Sequence, residues 1–298
     1  MKKIKIGSEG MGSWGSKIVD YLLKLIYPDI EILWENNEDC DIIVKSHFYN
    51  TERKWTNMKK PYIYWSGEPF VANLNNNHTK FINIHTCFEP NTLYIPFCIF
   101  HKGFDGEERL FQRKYINYDR KYLVAYCNSR KVYEREHLFN LLVQRTATGR
   151  CRSLGNCYGN YPQTNIVIGD GWHGDKLHIE YSKYNFVFAM ENCVKPGYAT
   201  EKIMNALYCG AIPIYWGANV INEYINPDCF INVTDFGSFE ECAEYIIGMS
   251  DEEIKWKMEQ PIFKNNIIDD RLKIEWYKNP SQHYLSIANK LKDILGTT

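Results

Sequence analysis

The segment Phe186–Gly217 constrains the fold of this chain most strongly, because two kinds of hydrophobic pattern alternate within it. An apolar run ends at Met190, and a polar stretch with a Pro-Gly pair follows. The spacing after Thr200 predicts an amphipathic helix, and a second apolar run, IPIYW, leads into Gly217. Strand, loop, helix and strand in this order predict a parallel βαβ unit of an α/β protein.

The charged residues of this segment cluster where its loop meets its helix. In an open α/β sheet, ligands bind at the carboxyl ends of the strands, and a helix N-terminus favours anions such as phosphate. We expect Thr200 to be the N-cap. Lys202 places a cation in the first turn, where the helix dipole alone favours an acid. A bound anion nearby would explain that cation.

The rest of the chain fits two domains. Strand-like and helical runs alternate before and after a charged stretch at residues 102–120, which we take as the linker. With 298 residues, of which 45% are hydrophobic, the chain is long enough for two domains with their own cores. We expect a first domain over residues 1–115 and a second domain with C-terminal helices over residues 116–298. Both should be Rossmann-like and face each other across a cleft.

Composition excludes several classes of protein. The net charge of −1 gives no electrostatic case for nucleic acid or an anionic membrane. The sequence has no apolar stretch of about twenty residues, so we expect no membrane span. Ten cysteines without paired CxxC motifs argue against a zinc site and favour buried thiols in a reducing compartment. We expect a soluble, cytoplasmic protein, unless a membrane anchor has been removed from it.

The polar positions of the opening segment resemble the signature of glycosyltransferase family 10, the α1,3/α1,4-fucosyltransferases. That pattern is an apolar strand, Phe-Glu-Asn, a short loop, Tyr-x-Thr-Glu-Lys, a helix, and a strand ending at Gly. The matching residues here are Met190-Glu191-Asn192-Cys193 and Tyr198-Ala199-Thr200-Glu201-Lys202. Met190 replaces the family's Phe and Cys193 its usual Ser. The resemblance implies the GT-B architecture, with the donor nucleotide on the second domain and the acceptor on the first.

The resemblance also implies donor-binding roles within the signature. Lys202 would neutralise charge on the departing nucleoside diphosphate, and Tyr198 would hydrogen-bond phosphate or stack on the nucleotide. Glu201 would accept hydrogen bonds from sugar hydroxyls, and Asn192 would bind ribose or phosphate. Glu191 could orient loop groups instead of touching the donor.

A second group of donor residues follows the strand-like run LVAY. Basic and polar groups at a strand–helix junction suit a diphosphate. Arg135 aligns best with the family's arginine, while Arg130 and Lys131 are alternatives if the loop differs in length. At least two of these three cations would then be solvated surface charges. Asn128 or Ser129 could also contact the pyrophosphate.

The expected catalytic residue lies in the first domain. A strand runs into Gly67 and Glu68 and stops at Pro69, so a carboxylate at its tip could act as a general base. From the residues alone, an ordinary turn acid fits equally well. Family members carry Gly-Glu after the corresponding strand, and that Glu is taken as the base. The resemblance therefore assigns Glu68 as the base and places Gly67 on the acceptor side.

Two other motifs compete with this interpretation. The glycines of residues 10–15 form GxGxxG between a strand and a helix, with Glu35 about twenty residues on, as in dinucleotide-binding proteins. Trp14 is too bulky for a loop that hugs pyrophosphate; on an acceptor domain, it and the glycines could line a sugar site. Asp39-Cys40-Asp41 has the form of a metal-binding DxD, but Asp41 begins an apolar strand, so a surface turn is favoured.

The sequence therefore predicts an inverting fucosyltransferase that moves L-fucose from GDP-fucose to a hydroxyl of a glycan acceptor. GDP-fucose and an oligosaccharide are the expected partners, and the arrangement requires no metal or cofactor. Two alternatives stay open at this stage. One is a GT-B enzyme that uses another nucleotide sugar, and the other is an inactive carbohydrate-binding relative.

Overall fold

The computed structural model describes residues 3–9, 13–35, 39–46, 60–69, 81–99, 112–155, 174–274 and 281–296. The chain divides into two compact units. The first unit comprises Met1–Gly106, Lys195–Tyr198 and Asp269–Thr298, and the second comprises Glu107–Val194 and Ala199–Ile268.

Each unit contains one sheet, and the strands are numbered along the chain. The first unit has β1 (Lys3–Glu9), β2 (Glu31–Trp34), β3 (Ile42–Ser46), β4 (Tyr62–Ser66), β5 (Phe81–His85) and β6 (Leu93–Tyr94). The second has β7 (Tyr122–Tyr126), β8 (Cys151–Ser153), β9 (Tyr184–Phe188), β10 (Ile212–Tyr215) and β11 (Ile231–Asn232). The described α-helices are α1 (Ser13–Ile26), α2 (Tyr133–Arg145), α3 (Asp175–Tyr181), α4 (Glu201–Tyr208), α5 (Ile221–Tyr224), α6 (Phe239–Gly248), α7 (Asp251–Glu259) and α8 (Gln282–Leu295).

The sheet of the first unit is parallel, in the order β2-β1-β3-β4-β5-β6. Every residue of β4 is buried, as expected for an inner strand of a parallel sheet covered on both faces. Pairing continues to the last residue of β4, where Ser66 lies opposite His85. The tip of β4, from which Glu68 follows, is therefore anchored in the sheet.

The C-terminal helix belongs to the first unit. Helix α8 packs on α1, and the rings of Tyr21 and Tyr284 meet edge to face with centroids 5.6 Å apart. The sequence-based boundaries place all of residues 116–298 in the second domain, so α8 lies in a different unit from the one expected. The physical reason is the apolar face of α1, where Tyr21 and Leu22 are fully buried and need a covering element.

The sheet of the second unit is also parallel, in the order β11-β10-β9-β7-β8. Side chains alternate between its two faces, as the period of a strand requires. On one face, Val124 and Phe186 join a core with α2 and α6. On the other face, Ala125 and Val187 join a core with α3 and α4.

These features confirm the α/β fold class with two parallel sheets flanked by helices. The sequence pattern predicts a helix over residues 133–144, and α2 spans Tyr133–Arg145. The apolar spacing predicts a helix over Ser16–Ile26, and α1 begins earlier, at Ser13. Trp14 therefore lies in its first turn instead of a loop. Within the described ranges, the structure has no helix that is both long and apolar enough to cross a bilayer.

Candidate functional site

Arg135 lies in the first turn of α2 and is fully buried. Its Nε donates to the carbonyl of Met190 at 3.0 Å, and Nη2 donates to the same carbonyl. Nη2 also donates to Oδ1 of Asn192 at 2.9 Å. The guanidinium therefore lies beneath the loop that follows β9 and holds its backbone. The two predicted donor residues Arg135 and Asn192 are in direct contact.

Glu191 is the anion of this region, and its side chain is fully buried. Its Oε1 accepts from the backbone N–H of Thr200 at 2.6 Å, and the Thr200 hydroxyl donates to the same carboxylate at 2.9 Å. Lys202 Nζ donates to Oε2 at 3.1 Å and to the Thr200 hydroxyl at 2.8 Å. Glu191 thus orients the loop and the start of α4, as the sequence suggested it could.

The expectation for Thr200 is correct for the backbone and wrong for the side chain. Thr200 occupies the N-cap position of α4, but its hydroxyl does not cap the helix. The Thr200 hydroxyl instead donates to Glu191 and accepts from the Lys202 ammonium. The anion that Lys202 was expected to need is therefore supplied, at least in part, by Glu191.

Lys202 nevertheless keeps capacity for a ligand. Its ammonium makes two hydrogen bonds within the part of the chain that the structure describes, so one of its three N–H groups can still donate. Its side chain is 21% exposed, whereas that of Glu191 is 0% exposed. A partly exposed ammonium held by a buried carboxylate is a fixed hydrogen-bond donor in the first turn of α4.

Gly217, the last residue of the signature, makes room for this cluster. A Cβ built on Gly217 would lie 2.5 Å from the Tyr215 hydroxyl and 2.8 Å from Cγ of Glu191. The backbone N–H of Glu191 donates to the carbonyl of Trp216 at 2.7 Å. The two ends of the signature therefore touch, and only a glycine fits at the second end.

Asn128 follows β7 and is only 8% exposed. Among the described residues, its Nδ2 has no hydrogen-bond acceptor. Gly155 lies against its backbone, since a Cβ there would be 2.5 Å from the Asn128 carbonyl oxygen. A buried amide donor without a partner costs about 1–3 kcal/mol. An acceptor atom of a ligand would remove that cost, which agrees with the predicted donor-binding role.

The other predicted donor residues differ in burial. Ser129, Arg130 and Lys131 are exposed at the turn before α2. Glu201 is 7% exposed and faces inward. Burial raises the pKa of Tyr181, and the charge of Glu201 adds a smaller upward contribution to that pKa.

Glu68 lies in the first unit, just beyond β4, and is partly buried. The Ser66 hydroxyl donates to the Glu68 carbonyl at 3.2 Å and accepts from the Glu68 N–H at 3.3 Å. Gly67 is buried against Phe97, whose Cε2 would lie 2.4 Å from a Cβ at that position. The turn that carries the predicted base is therefore tightly fixed, and Gly67 acts through packing.

Four residues of the signature loop, Lys195–Tyr198, belong to the first unit. Lys195 Nζ donates to the carbonyl of Pro69. The carbonyl of Pro196 accepts from the N–H of Phe88 at 2.8 Å, and that of Gly197 accepts from the Tyr94 hydroxyl at 3.0 Å. We call these four residues the inserted segment. The predicted donor residue Tyr198 ends it and is 2% exposed.

Of the two competing motifs, the structure describes Asp39-Cys40-Asp41 and only part of GxGxxG. Asp41 accepts the backbone N–H of Lys5 at 2.8 Å, a bond that ties its carboxylate to β1. Within the described ranges, no group of three or more His, Cys, Asp or Glu side chains could hold a metal ion. Gly10 and Gly12 of the GxGxxG motif lie outside the described residues, as does the side chain of Trp14.

With this geometry in view, the similarity to known proteins is specific. Residues 117–258 match the model of "Glycosyltransferase family 10 (fucosyltransferase) C-term". This region, just under half of the chain, matches glycosyltransferase family 10. The matched region contains the clusters around Arg135 and Glu191, so the predicted family is confirmed.

Individual relatives of this chain also carry fucosyltransferase names. An α-(1,4)-fucosyltransferase of Arabidopsis thaliana is 38% identical over 143 residues, which are 45% of this chain and 35% of that protein. A candidate fucosyltransferase of Acanthamoeba polyphaga mimivirus is 32% identical over 179 residues, 58% of this chain and 29% of that protein. The chain thus spans about a third of the length of these relatives.

Solved structures extend the similarity to the whole fold. A crystal structure of an α1,3-fucosyltransferase superimposes with a TM-score of 0.71 at 19% identity, over 99% of this chain and 90% of that one. A crystal structure of an α1,3-fucosyltransferase with GDP-fucose gives a TM-score of 0.67 at 18% identity, over 100% and 92% of the two chains. The GT-B fold class predicted for this chain is confirmed.

Sequence reasoning missed two features of the site. It gave Lys195 no role, because a lysine beside Pro-Gly in a loop has the pattern of a solvated charge. It assigned Gly217 only to the end of a strand. The spacing of the signature could have indicated the role of Gly217. Glu191 follows the first strand of the βαβ unit and Gly217 follows the second, so the two residues lie at the same edge of the sheet.

Proposed function

We propose that this chain is an inverting fucosyltransferase that transfers L-fucose from GDP-fucose to a hydroxyl of a glycan acceptor. The observation that carries the proposal is the clustering of Asn128, Arg135, Asn192 and Lys202 at the carboxyl ends of β7 and β9. This is the edge of a parallel sheet where nucleotides bind. A structural neighbour, itself an α1,3-fucosyltransferase, was crystallised with GDP-fucose, which supports that donor.

In the proposed reaction, the acceptor hydroxyl attacks the anomeric carbon of fucose while the bond from that carbon to the β-phosphate breaks. Glu68 takes the proton of the attacking hydroxyl. The electron pair of the broken bond leaves with GDP, and the anomeric configuration inverts. The transition state has oxocarbenium character, as in glycoside hydrolysis.

The negative charge that develops on GDP requires fixed positive charge. Lys202 supplies one N–H for direct contact, and Arg135 adds its charge from beneath the loop while it holds Asn192. Asn128 offers a buried amide donor. Tyr198 and Glu201 are proposed to bind the donor, and the side-chain cations carry the charge without a metal. We also propose a cytoplasmic location, in keeping with the free thiols of the described cysteines.

Calorimetric titration with GDP, GDP-fucose, UDP and NAD in EDTA tests the donor. We expect GDP and GDP-fucose to bind, and Lys202→Ala to weaken both at least tenfold, because the cation contacts the diphosphate directly. Lys290→Ala, an exposed lysine on α8, is the matched control. Binding of UDP or NAD in place of GDP would refute the fucosyl donor.

Turnover tests the base. Transfer from radiolabelled GDP-fucose is measured with oligosaccharides ending in galactose or N-acetylglucosamine. We expect Glu68→Gln to lower kcat about 10²–10⁴-fold with unchanged GDP affinity, the range typical of a lost general base. Near wild-type turnover in Glu68→Gln would disprove the assignment. Donor binding without turnover in the unmodified protein would favour an inactive carbohydrate-binding relative.

A further inference from the structure

We propose that Lys195 is a positioning residue for the general base, a role that rests on the proposed function of Glu68. Lys195 lies in the inserted segment, and its ammonium donates to the carbonyl of Pro69. Pro69 directly follows Glu68, so this bond fixes the far side of the turn that carries the carboxylate. Among the described residues, the Pro69 carbonyl is the hydrogen-bond partner of the Lys195 ammonium.

The near side of the same turn is fixed independently. The Ser66 hydroxyl bonds both the N–H and the carbonyl of Glu68, and Ser66 itself is fully buried at the end of β4. Gly67 is in close contact with Phe97, which leaves no space for a shift in that direction. With Lys195 on the other side, the Glu68 backbone is held from both ends. A general base needs such support, because a misplacement of about 1 Å can cost about 10²-fold in rate.

The inserted segment is itself held in the first unit by hydrogen bonds. Two of its carbonyls accept hydrogen bonds from the first unit, that of Pro196 from Phe88 and that of Gly197 from Tyr94. Gly197 has φ of +84°, and a Cβ there would lie 2.8 Å from the Phe88 nitrogen. This conformation favours glycine, and a larger residue would collide with the Phe88 backbone. The backbone of Lys195 is also used, since its carbonyl accepts from the N–H of Tyr198 at 3.0 Å.

The hydrogen bond from Lys195 to the Pro69 carbonyl adds little to the free energy of folding. Ordering its side chain costs about 1.5–2 kcal/mol of rotamer entropy. A hydrogen bond from a charged donor to a carbonyl returns about 1.5–3 kcal/mol. The net gain in folding free energy is therefore small, and the main effect of the bond is to fix the position of Pro69.

The test is a double-mutant cycle between Lys195 and Glu68, read as kcat for GDP release from saturating GDP-fucose. Water is the probe acceptor, and the oligosaccharide that supports transfer is used in parallel. We expect Lys195→Met to lower kcat about ten- to hundredfold, with GDP-fucose affinity within twofold of the unmodified protein. Lys195→Arg, which keeps a cationic donor, should recover most of the rate. The exposed Lys290→Met is the matched control.

The cycle separates this inference from the proposed function. If Lys195 acts through Glu68, Lys195→Met causes no further loss in the Glu68→Gln background. An equal loss in both backgrounds, an unchanged kcat in Lys195→Met, or a loss of GDP-fucose affinity would each overturn the inference. Wild-type kcat in Glu68→Gln alone would instead overturn the assignment of Glu68 as the base. Thermal unfolding of every variant verifies that the lost rate is not lost folding.

Discussion

Replacing Glu191 by alanine should lower the free energy of unfolding by about 3 kcal/mol. The carboxylate is fully buried and accepts hydrogen bonds from the Thr200 N–H at 2.6 Å, from the Thr200 hydroxyl at 2.9 Å and from Lys202 at 3.1 Å. Breaking a buried ion pair by removing one partner costs about 3–5 kcal/mol. The Lys202 side chain is 21% exposed, so its ammonium can regain water, which favours the lower end of that range.

The assay is urea denaturation followed by tryptophan fluorescence, in which Trp216 lies next to the altered loop. The same change in unfolding free energy corresponds to about 6–12 °C in Tm, at roughly 2–4 °C per kcal/mol for a unit of this size. Glu244→Ala is the matched control, because this glutamate is exposed on α6 and should change stability by less than about 0.5 kcal/mol.

A second variant identifies the ion pair as the cause. In Glu191→Ala/Lys202→Met the unpaired cation is gone, so the double variant should be more stable than Glu191→Ala alone. The reasoning is refuted if Glu191→Ala is no less stable than Glu244→Ala. It is also refuted if the destabilisations caused by the two substitutions simply add.

Two further predictions concern the first unit. Gly67→Ala places a Cβ 2.4 Å from Phe97, so it should destabilise the fold by about 1–3 kcal/mol in thermal melts. Gly67→Ala/Phe97→Leu should recover part of the lost stability, and an equal loss in both variants would contradict the packing argument. Burial lowers the pKa of His283, with a smaller contribution from Arg271. Neutral His283 therefore stabilises the fold fully above about pH 6.5, the pKa of a free histidine. This contribution is lost as the pH falls through the lower folded-state pKa. His283→Gln, which can still donate to the Tyr94 carbonyl, should therefore show a shallower loss of stability below pH 6.5 in urea titrations; parallel profiles would argue against this role.

Local patterns predicted the second unit well, because its elements follow from the spacing of apolar residues. Helix α2 differs from its predicted span by one residue at its C-terminal end, and the Rossmann-like alternation of strand and helix is present in the described residues. The family signature also located the cluster of Asn192, Glu191 and Lys202, since fixed polar positions between a strand and a helix must come together at one edge of the sheet.

Tertiary partners could not be predicted from spacing. The sequence of α8 mixes polar and apolar residues. Its apolar face is defined by the contact of Tyr284 with Tyr21, more than two hundred residues away in the chain. Arg135 was expected among the cations that neutralise the donor diphosphate, and spacing gave no sign that its guanidinium also donates to the Met190 carbonyl. Its contact with the donor stays a prediction. The side chain of a long residue at a helix start can point to solvent or inward, and the sequence pattern is the same in both cases.

The inserted segment limits where a chimaera between family members can be joined. The region that carries the family match, residues 117–258, contains Lys195–Tyr198, whose hydrogen-bond partners Pro69, Phe88 and Tyr94 lie outside it. Helix α8 likewise follows the match yet covers the apolar face of α1. A chimaera cut at the linker would separate both sets of partners. An exchange between relatives that keeps these contacts therefore has to transfer residues 195–198 and α8 together with the rest of the first unit.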